Sequence, residues 1–317
     1  MANTYIYLPG SGNGGPGGVK FTYSVWFKLA KDSGDSGLVS TNPGGQQSWD
    51  LWVNPFVKFK CYESTSLIGQ LVTNAKLRDI GAWYNIVVNI DFANVTEDQR
   101  MKLWINGVQQ TGSLLSAETY PSTSGTVDSG GSVFNIGRYQ ASSDYFKGSM
   151  SNIHFYDGYA YDASDFGEFD STSGIWKIKT TGPSATYGTY GFNVKMEDRT
   201  NLDLDSSSNA LAFTTGGTLT ATYDNPSNNF CTLNPLDNYY QASTFSNGNN
   251  TIVTSSSNYS YNTGILGLSA GLWYYEVKVV ATAGTRNDVI GIAAAPPTST
   301  SDFVGKTSET YSYNGDD

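Results

Sequence analysis

His154 is the single histidine of the chain. A Ser-His-Asp or Cys-His site would depend on it alone for proton transfer. It alternates with Ile153 and Phe155, which places it on the opposite face of a strand. Cys61 and Cys231 are distant in sequence, show no CxxC spacing, and read as buried free thiols. With one histidine and two isolated cysteines, a structural zinc site lacks ligands. Asp91, Asp128, Asp144 and Asp157 stand at loops or strand ends and are the candidates for calcium, a hard cation that takes oxygen ligands. No EF-hand spacing is present and Asx-turns alone account for most such aspartates, so no cofactor is expected and calcium is the lesser reading. Aromatic side chains offer another chemistry. Tyr139, Asp144 and Tyr145 lie in the loop segment from Arg138 to Tyr145, and Trp52 follows Asn42-Pro43-Gly44-Gly45 and Trp49 near an expected rim. Rings that stack on C–H faces, beside short polar groups that reach hydroxyls, suit a sugar. An ordinary hairpin loop packed on its own sheet end is the commoner meaning of such a composition and is the favoured reading.

The elements that would hold these residues are strands. Apolar residues fall at every second position in Phe21–Leu29, in Trp83–Asp91 and in Met101-Lys102-Leu103-Trp104-Ile105. Asn106-Gly107 follows at once, and both residues tolerate the positive φ that a type I′ hairpin turn requires. Phe134 to Ile136, Met150 to Tyr156, Trp273 to Val279 and Val289 to Ala295 read as further strands. Trp26, Trp83, Trp104, Trp176 and Trp273 sit in or beside these runs, where packing explains them. One short turn near Ser164–Glu168 looks helical, with Ser164 as its cap. The expected class is all-β.

The 317 residues have room for two domains. Eighteen Lys and Arg against 28 Asp and Glu give a net charge of −10 and no basic cluster, so nucleic-acid binding is not expected. No apolar run is long enough for a transmembrane helix, and the start shows no signal-peptide pattern. Composition shifts after Tyr161 and between Asp224 and Asn234 suggest three parts: a sandwich over 1–162, a connector with strands over 163–237, and a second β unit over 238–317.

Several segments carry a resemblance: WYNIVVNIDF (83–92), RMKLWINGV (100–108), FNIGRY (134–139) and KGSMSNIHFYDGYAYDASDFGEF (147–169), with GIWKIK (174–179) and YGTYGF (187–192) after them. Through these, residues 21–162 resemble the laminin-G-like, concanavalin A-like lectin/glucanase modules of marine bacteriophage virion proteins. NNFCTLNPLD (228–237) and WYYEV (273–277) resemble the start of a SPRY-type module in such proteins. From Tyr239 to Asp317 the chain is short for a complete SPRY sandwich, so that unit is abbreviated or the polypeptide continues. The resemblance implies a jelly-roll sandwich followed by a second β-sandwich, in a virion protein assembled in the host cytoplasm. It also implies other virion proteins as partners and a homo-oligomer, most often a trimer.

Such folds include laminarinases, whose signature is Glu-x-Asp-x-x-Glu on one strand. The nearest match here is Glu168-Phe169-Asp170, but Ser173 stands at the third position and the segment is expected in the connector. A glycosidase needs two carboxylates about 5–9 Å apart, and this motif does not supply them. The leading expectation is therefore a non-enzymatic virion protein that displays lectin-like modules toward a host-surface glycan. A structural decoration or assembly protein without glycan binding is the alternative, and a glycan-cleaving enzyme comes last. The net charge adds that the ligand should be neutral or cationic rather than strongly anionic.

Overall fold

The structure, a computed structural model, describes residues 3–9, 18–31, 34–41, 47–127, 133–139, 143–179, 181–184, 186–254, 259–280, 288–295 and 302–315. It divides into two units, Met1–Phe230 and Cys231–Asp317. The first unit begins with β1 (Tyr5–Leu8), β2 (Lys20–Leu29), β3 (Ser36–Thr41), β4 (Gln47–Asn54), β5 (Phe56–Glu63) and β6 (Ser66–Lys76). It continues with β7 (Trp83–Asp91), β8 (Met101–Ile105), β9 (Val108–Gln109), β10 (Leu115–Thr119), β11 (Phe134–Ile136) and β12 (Arg138–Tyr139). It ends with β13 (Ser143–Tyr145), β14 (Gly148–Asp157), β15 (Gly167–Phe169), β16 (Trp176–Ile178), β17 (Phe192–Val194) and β18 (Thr214–Gly216).

The strands most legible in the sequence stand side by side. The smaller main sheet has the order β17-β14-β2-β7-β8-β9. The hairpin between β8 and β9 turns on Asn106 (φ 46°) and Gly107 (φ 78°), both in the left-handed region that a type I′ turn demands. The larger sheet has the order β10-β6-β5-β4-β3-β11-β1-β18, with β12 and β13 attached beside β3. The sheets face each other across an aromatic core: Phe21 of β2 stacks on Trp49 of β4 at 4.6 Å, and Phe155 of β14 meets Phe134 of β11 at 5.4 Å. This is the expected all-β jelly-roll sandwich. Trp49 is fully buried in that core rather than at a rim.

Residues 163–230, read from sequence as part of a connector, supply β17 and β18 to the edges of the two main sheets and so lie within the first unit. They also cover the outer face of the smaller sheet. Val87, Trp104 and Tyr156 project there and are closed over by Ala163 and Phe166, with Tyr161, Trp176 and Tyr187 against them. The short 3-10 turn Ala163–Asp165 holds this cover. Its cap is Asp162, in a capping box with Asp165, and Ser164 lies inside the turn. Asp224 ties the end of the unit down: its carboxylate accepts from Lys28 Nζ at 2.8 Å and from Trp83 Nε1 at 2.9 Å. The smaller sheet is thus buried on both faces, and the larger sheet keeps an outer face of its own.

The second unit comprises β19 (Leu233–Tyr240), β20 (Thr244–Ser246), β21 (Thr251–Val253), β22 (Ser260–Gly264), β23 (Val289–Ala293) and β24 (Thr310–Asn314). They pair as β19 with β22, β20 with β21, and β23 with β24. The alternation from Trp273 to Val279 does not form a paired strand here: residues 271–280 find no partner among the described residues, and Trp273 is 65% exposed. Val289–Ala293 is a strand, but half-buried to exposed, because β24 alone supports it. Cys61 is buried in the first unit, whereas Cys231 is exposed.

Candidate functional site

The larger sheet carries a polar row assembled by register. Asn135 of β11 stands opposite Ser40 of β3, Ser40 opposite Asp50 of β4, Asp50 opposite Lys60 of β5, and Lys60 opposite Gln70 of β6. Alternation puts this row on the outer face, since Trp49, Leu51, Phe59 and Cys61 point into the core. Two positions along, Trp52 of β4 faces Lys58 of β5. Beyond Lys60, Tyr62 continues the outer face of β5.

Trp52 is held from both flanks. Tyr139, arriving from the β3 side, stacks on the indole at 5.2 Å with 19° between the planes. Lys58, from the β5 side, places its Nζ 4.1 Å from the ring centre, and the Lys60 Nζ is 5.7 Å away. These are cation–π distances. The Trp52 ring is therefore engaged within the protein, and its Nε1 is buried. Next to this stack, the Arg138 guanidinium lies 3.6 Å over the Tyr5 ring, and Tyr5 in turn packs against Tyr145 at 5.9 Å and Tyr7 at 5.7 Å. Arg138 Nε donates to Asn135 Oδ1 at 2.9 Å.

The electrostatics of the row are unusual. Asp50 is 6% exposed, and its carboxylate accepts no hydrogen bond among the described residues. Burial pushes its pKa up to about 8, against a smaller opposing pull from Lys60. Lys60 is shifted downward by burial and by Lys58, with Asp50 opposing. Tyr62 is pushed up to about 12 by burial, then by Tyr139, Asp50 and Cys61. Trp52 Nε1 and Asn135 Nδ2 are buried donors with no acceptor among the described residues. The face is thus rich in donors and aromatic edges, and poor in ionised acceptors.

Residues 1–165, just over half of the chain, match the Laminin_G_3 family, described as the concanavalin A-like lectin/glucanases superfamily. The chain belongs to that superfamily. No curated protein sequence matches it. Among solved structures it is similar to a heptameric SAP-like pentraxin from Limulus polyphemus, at 14% identity over 50% of this chain and 78% of that one, with a TM-score of 0.35. It is also similar to domains LG4-5 of the mouse laminin alpha1 chain, at 17% identity over 58% and 50% of the two chains, TM-score 0.36. A third is the CBM40 of Ruminococcus gnavus IT-sialidase bound to alpha2,3 sialyllactose, at 16% identity over 46% and 79%, TM-score 0.34. Such similarities concern the β-sandwich alone.

In this concanavalin A-like chain, the residues singled out for sugar contact fall in two adjoining clusters. Trp52 and Tyr139 are stacked together, and Tyr145 sits on Tyr5 in the hairpin of β12 and β13. Asp144 lies in that hairpin in the left-handed region (φ 55°) and acts electrostatically on Lys147. Asp50, Lys58, Lys60 and Tyr62 were not foreseen, although Phe56-Val57-Lys58-Phe59-Lys60-Cys61-Tyr62 alternates in a way that marks an amphipathic strand.

The calcium candidates do not converge. Asp91 ion-pairs with Lys20 at 2.8 Å, and the Asp157 carboxylate accepts from Tyr190 N at 3.2 Å near the same end of β2. Asp144 precedes the opposite end of β14, and Asp128 lies outside the described residues. Among the described residues no three His, Cys, Asp or Glu side chains gather as a metal site. The carboxylate motif is also placed differently from expectation. Glu168 is in strand β15, paired opposite Lys177 of β16. Asp170 accepts from Lys177 Nζ at 2.6 Å and from Ser173 N and Oγ at 2.8 Å each, which holds it well below the usual carboxylate range. His154 packs against Phe166 and Tyr187 on the outer face of the smaller sheet, and burial lowers its pKa to about 4.

Proposed function

We propose that this chain is a non-enzymatic glycan-binding protein, displayed on a phage virion for attachment to a host surface, whose site is the outer face of the larger sheet. The observation that carries this reading is the Trp52–Tyr139 stack, set against a row of half-buried and buried polar side chains from five strands. Aromatic edges and hydroxyl-reaching donors on a rigid sheet fit the alternating apolar and polar surfaces of a sugar. The absence of catalysis is supported by Asp170, which is committed as an ionised turn organiser, whereas a general acid needs a raised pKa. The virion setting is supported by the sequence segments that resemble phage modules. Binding of the full chain to immobilised glycans, with Tyr139→Ala as comparison, tests the reading: loss of signal in the variant supports it.

A second reading, an assembly protein without glycan binding, draws on one observation. Leu272, Trp273, Tyr274 and Val277 are exposed on a segment that pairs with no strand among the described residues. A run of exposed apolar and aromatic side chains of this kind marks an interaction surface. A homotrimer in light scattering, reduced to monomer by Trp273→Lys with Val277→Lys, would favour an assembly role for this segment.

A further inference from the structure

The Lys58 and Lys60 ammoniums stand on the same strand face, close enough that Lys58 acts electrostatically on Lys60. Neither makes an ion pair or hydrogen bond among the described residues. The carboxylate opposite, Asp50, is not within ion-pair distance of Lys60, and its burial favours the uncharged acid. Two neighbouring cations that make no ion pair repel each other, the pull of the buried Asp50 on Lys60 offsets this only in part, and the repulsion is larger where burial removes water. Both ammoniums lie on the half-buried part of the sheet face beside the Trp52 ring, where an acceptor-rich anion can reach them.

We propose that this face recognises an acidic glycan, seating a sugar carboxylate or sulfate ester between the Lys58 and Lys60 ammoniums. The proposal rests on the glycan-binding reading and adds the substrate class. Lys58 and Lys60 donate to the anionic oxygens, in charge-assisted hydrogen bonds roughly twice as strong as neutral ones. The Tyr62 and Tyr139 hydroxyls serve the ring hydroxyls. The local charge is opposite in sign to the net charge of −10. The proposal departs here from the expectation of a neutral or cationic ligand, which was drawn from that total. Overall repulsion acts weakly beyond a Debye length of ~8 Å at physiological salt, so contact charges decide.

The test is equilibrium titration of the full chain at 50 mM salt with three probes: an oligogalacturonate, a sulfated galactan oligosaccharide and a neutral β-glucan oligosaccharide. The proposal expects at least one acidic probe to bind ten or more times tighter than the neutral one. That binding should weaken as salt rises to 500 mM and fall at least tenfold in Lys58→Met with Lys60→Met. Methionine keeps the apolar stem, and circular dichroism verifies the fold. Lys179→Met with Lys195→Met makes the same change in net charge on the other side of the sandwich and should leave binding intact. Whichever acidic probe binds separates carboxylate from sulfate recognition. Neutral oligosaccharide bound as tightly as both acidic ones, or acidic binding unchanged in the Lys58/Lys60 variant, overturns the acidic-glycan proposal and leaves glycan binding standing. Binding of none of the three overturns both.

Discussion

Replacing Asp50 by Asn should remove a pH-dependent penalty from the folded protein. The native carboxyl sits at a pKa of about 8 against an ordinary value of 3.8. A native pKa above the unfolded one means that the folded state binds the proton more tightly. The stability this confers is full below about pH 4 and is lost as pH rises toward 8. Within that window the loss runs at about 1.4 kcal/mol per pH unit, so from pH 5 to pH 7 it amounts to roughly 2–3 kcal/mol. Asparagine has no charge to bury and escapes it. His154 works in the opposite sense: its pKa is lowered to about 4, so its contribution is present above about 6.5 and lost as pH falls. Both proteins contain it, and it cancels in the difference. Urea unfolding at pH 5, 6, 7 and 8, read by hydrogen exchange in peptides spanning 47–63, gives that difference locally. Wild type should lose ground to Asp50→Asn steadily between pH 5 and 7. A difference that stays constant across this range would refute the burial argument, and with it the uncharged Asp50 in the site.

Three further outcomes follow from named contacts. Asp224→Ala leaves Lys28 buried without its carboxylate and should destabilise the first unit by about 3–5 kcal/mol, seen as a lower Tm by calorimetry. Ser64→Asn with Thr65→Gly should stabilise by ~1 kcal/mol in urea unfolding, because both wild-type residues occupy the left-handed region (φ 47° and 69°) that costs ordinary side chains. On the proposed virion reading, Tyr139→Ala with Tyr145→Ala should reduce adsorption of assembled particles at least tenfold in a plaque-adsorption assay, since the loss of one buried aromatic contact typically costs over ~1 kcal/mol. Unchanged adsorption would remove this hairpin from the site.

The smaller sheet was legible because its strands alternate regularly and one hairpin bears the Asn-Gly marker. Of the larger sheet only β11 was, and the reason is chemical. Its β5–β6 hairpin turns on Ser64-Thr65, residues that seldom adopt positive φ, so no turn signal announces it. All six residues of β3 are buried, which erases the alternation that identifies a strand. The segment Trp273–Val279 shows the reverse error: alternation reports an amphipathic chain, while pairing needs a partner strand that sequence periodicity does not contain. In the candidate site, Trp52, Tyr139, Asp144 and Tyr145 were readable from residue type. The row from Asn135 to Gln70 was not, because it is a product of register across five strands and becomes visible only when the sheet is assembled.

The central claim is that the outer face of the larger sheet binds a glycan. A glycan array probed with the full chain, followed by titration of the best ligand against wild type and Tyr139→Ala, addresses it most directly. The account predicts at least one bound glycan and at least a tenfold weaker affinity in the variant with the fold retained. No glycan bound by the wild type, or equal affinity in the two proteins, would contradict it.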